Sequence, residues 1–165
     1  VCETTPLMRR IFTVTGNGIN QPGNYNVKIG TSYAELVEAS GGLKDGVKKV
    51  ISGGPMMGMA LSTIDVPVVK TSSALTCFME DEVEKYEESA CIRCGKCAQV
   101  CPSHVIPQKL MEAAQHYDME RFTALNGMEC CECGCCTFIC PAKRPLTQAF
   151  KQMRQAVAAE RRTKK

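Results

Sequence analysis

The chain has no tryptophan, only two histidines, and an aromatic content of 5%. That excludes a large aromatic core and a base-stacking platform for nucleic acid. No stretch of 18 consecutive apolar residues occurs, so no transmembrane segment is predicted. Initiator methionine and signal-peptide pattern are both missing: the chain opens Val1-Cys2-Glu3-Thr4, which reads as a cut into a longer protein. The glycine-rich stretch Ser52-Gly53-Gly54-Pro55-Met56-Met57-Gly58-Met59 lacks the Gly-Lys-Ser/Thr ending of a phosphate loop, and Gly16-x-Gly18 is too short for a dinucleotide fingerprint. The former is expected to be a tight turn with soft apolar packing from its methionines. No convincing set of general acid, base and nucleophile is present.

Charge is unevenly spread. Residues 151–165 hold six basic side chains against Glu160, a net of +5, which leaves −2 for the rest of a chain whose total is +3. This is a basic tail on a slightly acidic body rather than a nucleic-acid surface. A solvated, disordered terminus is the expectation, with contact to an acidic partner or anionic lipid as the alternative.

Cysteine is what the chain has in excess, twelve in 165 residues, eleven of them beyond residue 76. The earlier part alternates like strands: Arg10, Phe12 and Val14 against Ile11, Thr13 and Thr15, then Tyr25, Val27 and Ile29 against Asn26 and Lys28. Ser32-x-x-Glu35 is a capping box opening a short helix over Leu36, Val37 and Ala39, which Gly41-Gly42 ends. Val47–Ile51 and Val66–Val69 read as further strands. In the later part, Pro107 opens a helix with Leu110, Met111 and Ala114 inside, and Asp118 caps one with Phe122 and Leu125 inside. Pro145 starts an amphipathic helix carrying Leu146, Ala149, Phe150, Met153 and Val157 on one face. The fold class is α+β: a small domain at 1–75, a cysteine-rich helical domain at 76–150, and a basic helical or disordered tail at 151–165.

The later part contains an internal repeat. Residues 91–102 (CIRCGKCAQVCP) and 130–141 (CCECGCCTFICP) both read C-x2-C-x2-C-x3-C-P, with glycine after the second cysteine. This is the spacing of bacterial two-cluster ferredoxins. Three cysteines at intervals of three can wrap three iron corners of a cubane, and Gly95 and Gly134 permit a tight, left-handed turn beside the sulfides. In that pattern the fourth cysteine ligates the other cluster. One [4Fe–4S] cluster is therefore assigned to Cys91, Cys94, Cys97 and Cys140, and the second to Cys130, Cys133, Cys136 and Cys101. Zinc would need only two C-x2-C pairs, and a disulfide framework would need an oxidising compartment; neither explains the full repeat. Cys131 and Cys135 do not fit it and read as bystanders able to substitute if a ligand were lost. Cys2 and Cys77 read as small, partly buried residues, and His104 and His116 as packing or surface residues. Arg93 and Lys96 near one loop, against Glu129 and Glu132 near the other, predict that the cluster of the first loop is the easier to reduce.

Thr13-Val14-Thr15-Gly16, Pro22-Gly23-Asn24, Ile51 to Gly58, and Val66-Pro67-Val68-Val69-Lys70-Thr71, followed by the double cysteine motif, together resemble the C component of the Rnf electron transport complexes over nearly all 165 residues. The resemblance implies a β-grasp domain of the soluble-ligand-binding type followed by a two-cluster ferredoxin-like domain. It implies electron transfer within a membrane-associated, ion-translocating NADH:ferredoxin oxidoreductase. The other proteins of that complex, and ferredoxin or another redox protein, would be partners, at the cytoplasmic face of the bacterial inner membrane. FMN and NADH would belong to an upstream domain that this chain lacks, so activity on its own is not expected. The alternative is a cobalamin-reductase-like protein whose β-grasp part binds a corrinoid.

Overall fold

The computed structural model describes residues 4–163, which form two compact units, one ending at Lys85 and the other beginning at Tyr86. Cys2, Lys164 and Lys165, which figure in the sequence reading, lie outside the described residues.

The first unit is a mixed five-stranded sheet with one helix. Its strands are β1 (Arg9–Thr15), β2 (Gly23–Lys28), β3 (Lys49–Ser52), β4 (Met59–Leu61) and β5 (Ala74–Phe78), in the order β2-β1-β5-β3-β4. Only β1 and β5 run parallel; the other neighbours are antiparallel. The alternation expected in β1 holds, with Phe12 and Val14 buried and Ile11 in solvent. Helix α1 (Tyr33–Ala39) opens on the expected capping box: Ser32 Oγ accepts from the N–H of Ala34 and Glu35 reaches back to the N–H of Ser32. Tyr33, Leu36 and Val37 close over Phe12, Val14, Val27 and Leu75, with the rings of Phe12 and Tyr33 5.2 Å apart. Ala39 faces solvent. Ser40 is buried instead, its hydroxyl donating to Leu36 O at 2.7 Å.

Three expectations for this unit change. Val66–Val69 is not a strand of the sheet: Val66 and Val68 hydrogen-bond to Tyr33, Gly30 and Thr31, leaving only an isolated bridge at Pro67. The sequence reading lacks two strands, the edge strand β4 and β5, whose Leu75 and Cys77 are fully buried at the sheet's centre. Its run ALTCF lacks alternation because both faces are covered. The boundary expected at 75/76 falls inside β5, and the first unit accordingly continues to Lys85. The methionines of the glycine-rich turn are not taken into the core: Met56, Met57 and Met59 are exposed, Met59 by 71%. They lie at the β3–β4 hairpin on the sheet's edge. The tightness of that turn is carried by Gly58, where a Cβ would meet Ile51 Cγ2 at 2.5 Å and Gly54 O at 2.6 Å.

The second unit is helical. It contains α2 (Lys96–Gln99), α3 (Pro107–Gln115), α4 (Met119–Ala124), α5 (Cys135–Ile139) and α6 (Leu146–Thr163). Leu110, Met111, Ala113, Phe122, Phe150 and Met153 form its core, with the Phe122 and Phe150 rings 6.3 Å apart. Pro107 begins α3, and Asp118 caps α4 by accepting from the N–H of Arg121 at 2.9 Å. The disordered terminus expected at the basic end is a helix over its described part. Met153 and Val157 are buried there, so the stripe at helical spacing holds residues 151–163 in α6.

Candidate iron–sulfur centres

The repeat in sequence is also a repeat in backbone. Gly95 and Gly134 have φ of 77° and 84° and stand immediately before α2 and α5. Arg93 and Glu132, two residues earlier in each loop, have φ of 55° and 57°; His104 and Lys143, after each Cys-Pro, both have φ of 52°. A left-handed non-glycine residue costs about 1–2 kcal/mol. Its recurrence at matched positions marks a conformation imposed by what the loops must surround. Loops of this kind turn successive N–H groups inward as an anion-binding concavity.

Each loop borders a hollow. One, of about 420 Å³ including space open to solvent, is lined by Cys91, Cys94, Cys97 and Cys140, with Met111, Leu146 and Arg144 behind them. The other, of about 300 Å³, is lined by Cys101, Cys130, Cys131, Cys133 and Cys136, with Val105 and Phe150 behind. Cys140 thus stands with the first loop and Cys101 with the second. No three His, Cys, Asp or Glu side chains among the described residues converge closely enough to hold a single metal ion. The thiols are instead spread around two apolar recesses, four at the first and five at the second, and four thiols are the donor set of a four-iron cluster. The residues present fit that group.

Four of the repeat's thiols, Cys97, Cys130, Cys133 and Cys136, are held in the protonated form by their surroundings. Burial pushes Cys97, Cys130 and Cys136 up, opposed by the N–H groups of Ala98 and Gln108 at Cys97, of Glu132 at Cys130, and by the hydroxyl of Thr147 at Cys136. Cys133 is pushed up to about 11: the N–H of Cys135 acts to lower it, but burial and the neighbouring Cys135 and Cys131 thiols outweigh that. Cys131 is fully exposed by contrast, and a hydrogen bond from Ser103 holds it below the usual thiol range. Such thiols become thiolates when a metal replaces their protons.

The remaining candidates fall elsewhere. Cys135 lies in α5 and lines neither hollow, whereas Cys131 does line the second. Cys77 is buried in β5, and His104 and His116 are on the surface. Glu132, read as a negative charge beside the second loop, is ion-paired with Arg154 of α6, so the charge contrast between the loops is smaller than the sequence implies. Sequence reasoning also missed Thr137 and Thr147. Superposing the repeat at its offset of 39 residues would have exposed them, since they replace Ala98 and Gln108 of the first copy.

Comparison with known proteins places these features. The SLBB domain family matches residues 11–60, and the 4Fe-4S binding domain family matches residues 84–106. The C component of a Na(+)-translocating ferredoxin:NAD(+) oxidoreductase complex from Acetobacterium woodii is 38% identical over 157 residues, covering 95% of this chain and 35% of the relative. The C component of a proton-translocating ferredoxin:NAD(+) oxidoreductase complex from Clostridium ljungdahlii is 43% identical over 105 residues, 64% of this chain and 23% of the relative. The chain therefore spans about a third or less of the length of these relatives. It is a homologue of the C component of the Rnf ferredoxin:NAD(+) oxidoreductase complexes, carrying an SLBB domain and, after it, a 4Fe-4S binding domain.

Proposed function

We propose that this chain is the electron-relay portion of an ion-translocating ferredoxin:NAD(+) oxidoreductase complex, passing single electrons through two [4Fe–4S] clusters. Cys91, Cys94, Cys97 and Cys140 hold one cluster, and Cys130, Cys133, Cys136 and Cys101 hold the other. The observation that carries this reading is the exchange of the fourth cysteines: Cys140 borders the hollow of the first loop and Cys101 that of the second. Each cluster, when bound, supplies a one-electron couple. The chain supplies thiolates, N–H dipoles from the loops and a dry apolar backing. The sheet order and single helix support a β-grasp assignment for the SLBB part, whose role is docking or spacing within the complex.

Ferredoxin or another redox protein and the other proteins of the complex are the partners in this reading, with FMN and NADH held by an upstream domain. Among the described residues no helix is long and apolar enough to cross a membrane. The chain is accordingly assigned a peripheral position on the cytoplasmic face of the inner membrane, reached through its partners. Anaerobic iron and acid-labile sulfide analysis, with low-temperature EPR of the reduced protein, tests the proposal. About eight irons and eight sulfides per chain are expected for two cubanes. Protein that binds zinc and accepts no electrons would overturn it.

A further inference from the structure

The two cysteine loops are alike in backbone and unlike in one hydrogen-bond chain. At the second site, Thr147 is the second residue of α6, and its N–H has no partner within the helix. That N–H donates to Thr137 Oγ1 at 2.9 Å; the two threonine oxygens are 2.8 Å apart; and Thr147 Oγ1 lies 3.7 Å from Cys136 Sγ. Thr147 and Cys136 are both buried, each 8% exposed, so water competes little for these groups. At the first site the matching residues are Ala98 and Gln108, and Cys97 receives backbone N–H groups alone.

We infer that Thr147, aligned by Thr137, is a positioning residue that raises the reduction potential of the second cluster selectively. The inference rests on the ligand role of Cys136 proposed above. A metal-bound Cys136 carries no proton, so the sulfur only accepts, and Thr147 must donate its single O–H to it. The bond between the two hydroxyls is then donated by Thr137, whose oxygen accepts the N–H of Thr147. The chain has one direction, from backbone N–H to sulfur, and each bond polarises the next. Reduction adds negative charge to the cluster and its thiolates. A fixed donor aimed at one of those sulfurs stabilises the reduced state more than the oxidised one. The relay thus favours electrons on the second cluster, opposing the order that the loop charges predict.

The test is an anaerobic EPR-monitored redox titration of wild type, Thr147→Val, Thr147→Ser and Thr137→Val. Thr147→Val is expected to move one of the two couples negative by a roughly tenfold loss of reduced cluster at the wild-type midpoint, about 59 mV for one electron. The other couple should stay in place. Thr147→Ser keeps the hydroxyl and should restore the wild-type value; Thr137→Val should give a smaller negative shift of the same couple. If Thr147→Val fails to assemble the second cluster, Thr137→Val decides, and an unmoved couple there overturns the inference. Two intact cubanes with both couples unmoved in Thr147→Val, or a serine variant shifted as far as the valine one, would also overturn it while leaving the relay function standing. Fewer than two cubanes in the wild type would overturn both.

Discussion

Replacing Cys140 with alanine should remove the cluster belonging to a loop more than forty residues away in sequence. Cys140 is half-buried at the hollow that also holds Cys91, Cys94 and Cys97. The substitution takes away one of four thiols there and none from the second hollow. Iron is expected to fall from about eight to about four per chain, with the EPR signal of one cluster lost. Stability should fall as well. Treated as a crosslink, a cluster joining Cys97 to Cys140 closes a ring of about 44 residues, worth on the order of 4 kcal/mol in chain entropy. The second cluster, joining Cys101 to Cys130, already closes most of that ring. About 16 residues remain, and the effect shrinks to about 3 kcal/mol. Anaerobic urea unfolding followed by circular dichroism measures it. The mirror change, Cys101→Ala, should remove the other cluster, and Cys91→Ala combined with Cys140→Ala should cost little more than either alone, because both act on one group. Loss confined to the cluster of Cys130, Cys133 and Cys136 on replacing Cys140 would refute the crossed arrangement.

Three further outcomes follow from the packing. Phe150→Ala empties a fully buried site against Phe122 and should cost about 3–5 kcal/mol, read from the urea midpoint; a cost below about 1 kcal/mol would contradict the assigned core. Gly95→Ala meets no atom within 4 Å, so only the left-handed φ of 77° opposes it, a cost of about 1–2 kcal/mol that should show as faster cluster loss in air; unchanged cluster lifetime would show that the turn relaxes. Burial raises the Cys77 thiol, so the folded first unit favours the neutral form. Its contribution to stability is complete below the ordinary thiol range near 9 and is lost as pH rises through the folded value. Cys77→Ala should therefore flatten the fall in stability as pH rises past the ordinary thiol value of 9.0, relative to wild type, and parallel pH profiles would count against it.

Local rules made part of this protein readable without coordinates. The capping box at Ser32 and Glu35, the Pro107 start of α3, the Asp118 cap of α4 and the stripe from Leu146 to Val157 each depend on residues a few positions apart. Steric and hydrogen-bond preferences act at that range, and the structure returns all four. The cysteine spacing belongs to the same class, because how a short loop can wrap a cluster is set by the chain's own reach. Elsewhere local reading failed where neighbours distant in sequence decide. Strand β5 has no alternation to detect because β1 and β3 flank it and both its faces are covered, while the apolar Val66–Val69 run looks like a strand and is held by other contacts.

The repeat by itself pointed to the donor set proposed here, eight matched thiols in two loops, since spacing and glycine placement are properties of a short segment. Only the tertiary structure decided that Arg154 of α6 pairs with Glu132 and that Thr147 reaches Cys136. Those contacts depend on how α6 packs against the loops, and packing is a balance struck among many distant side chains at once.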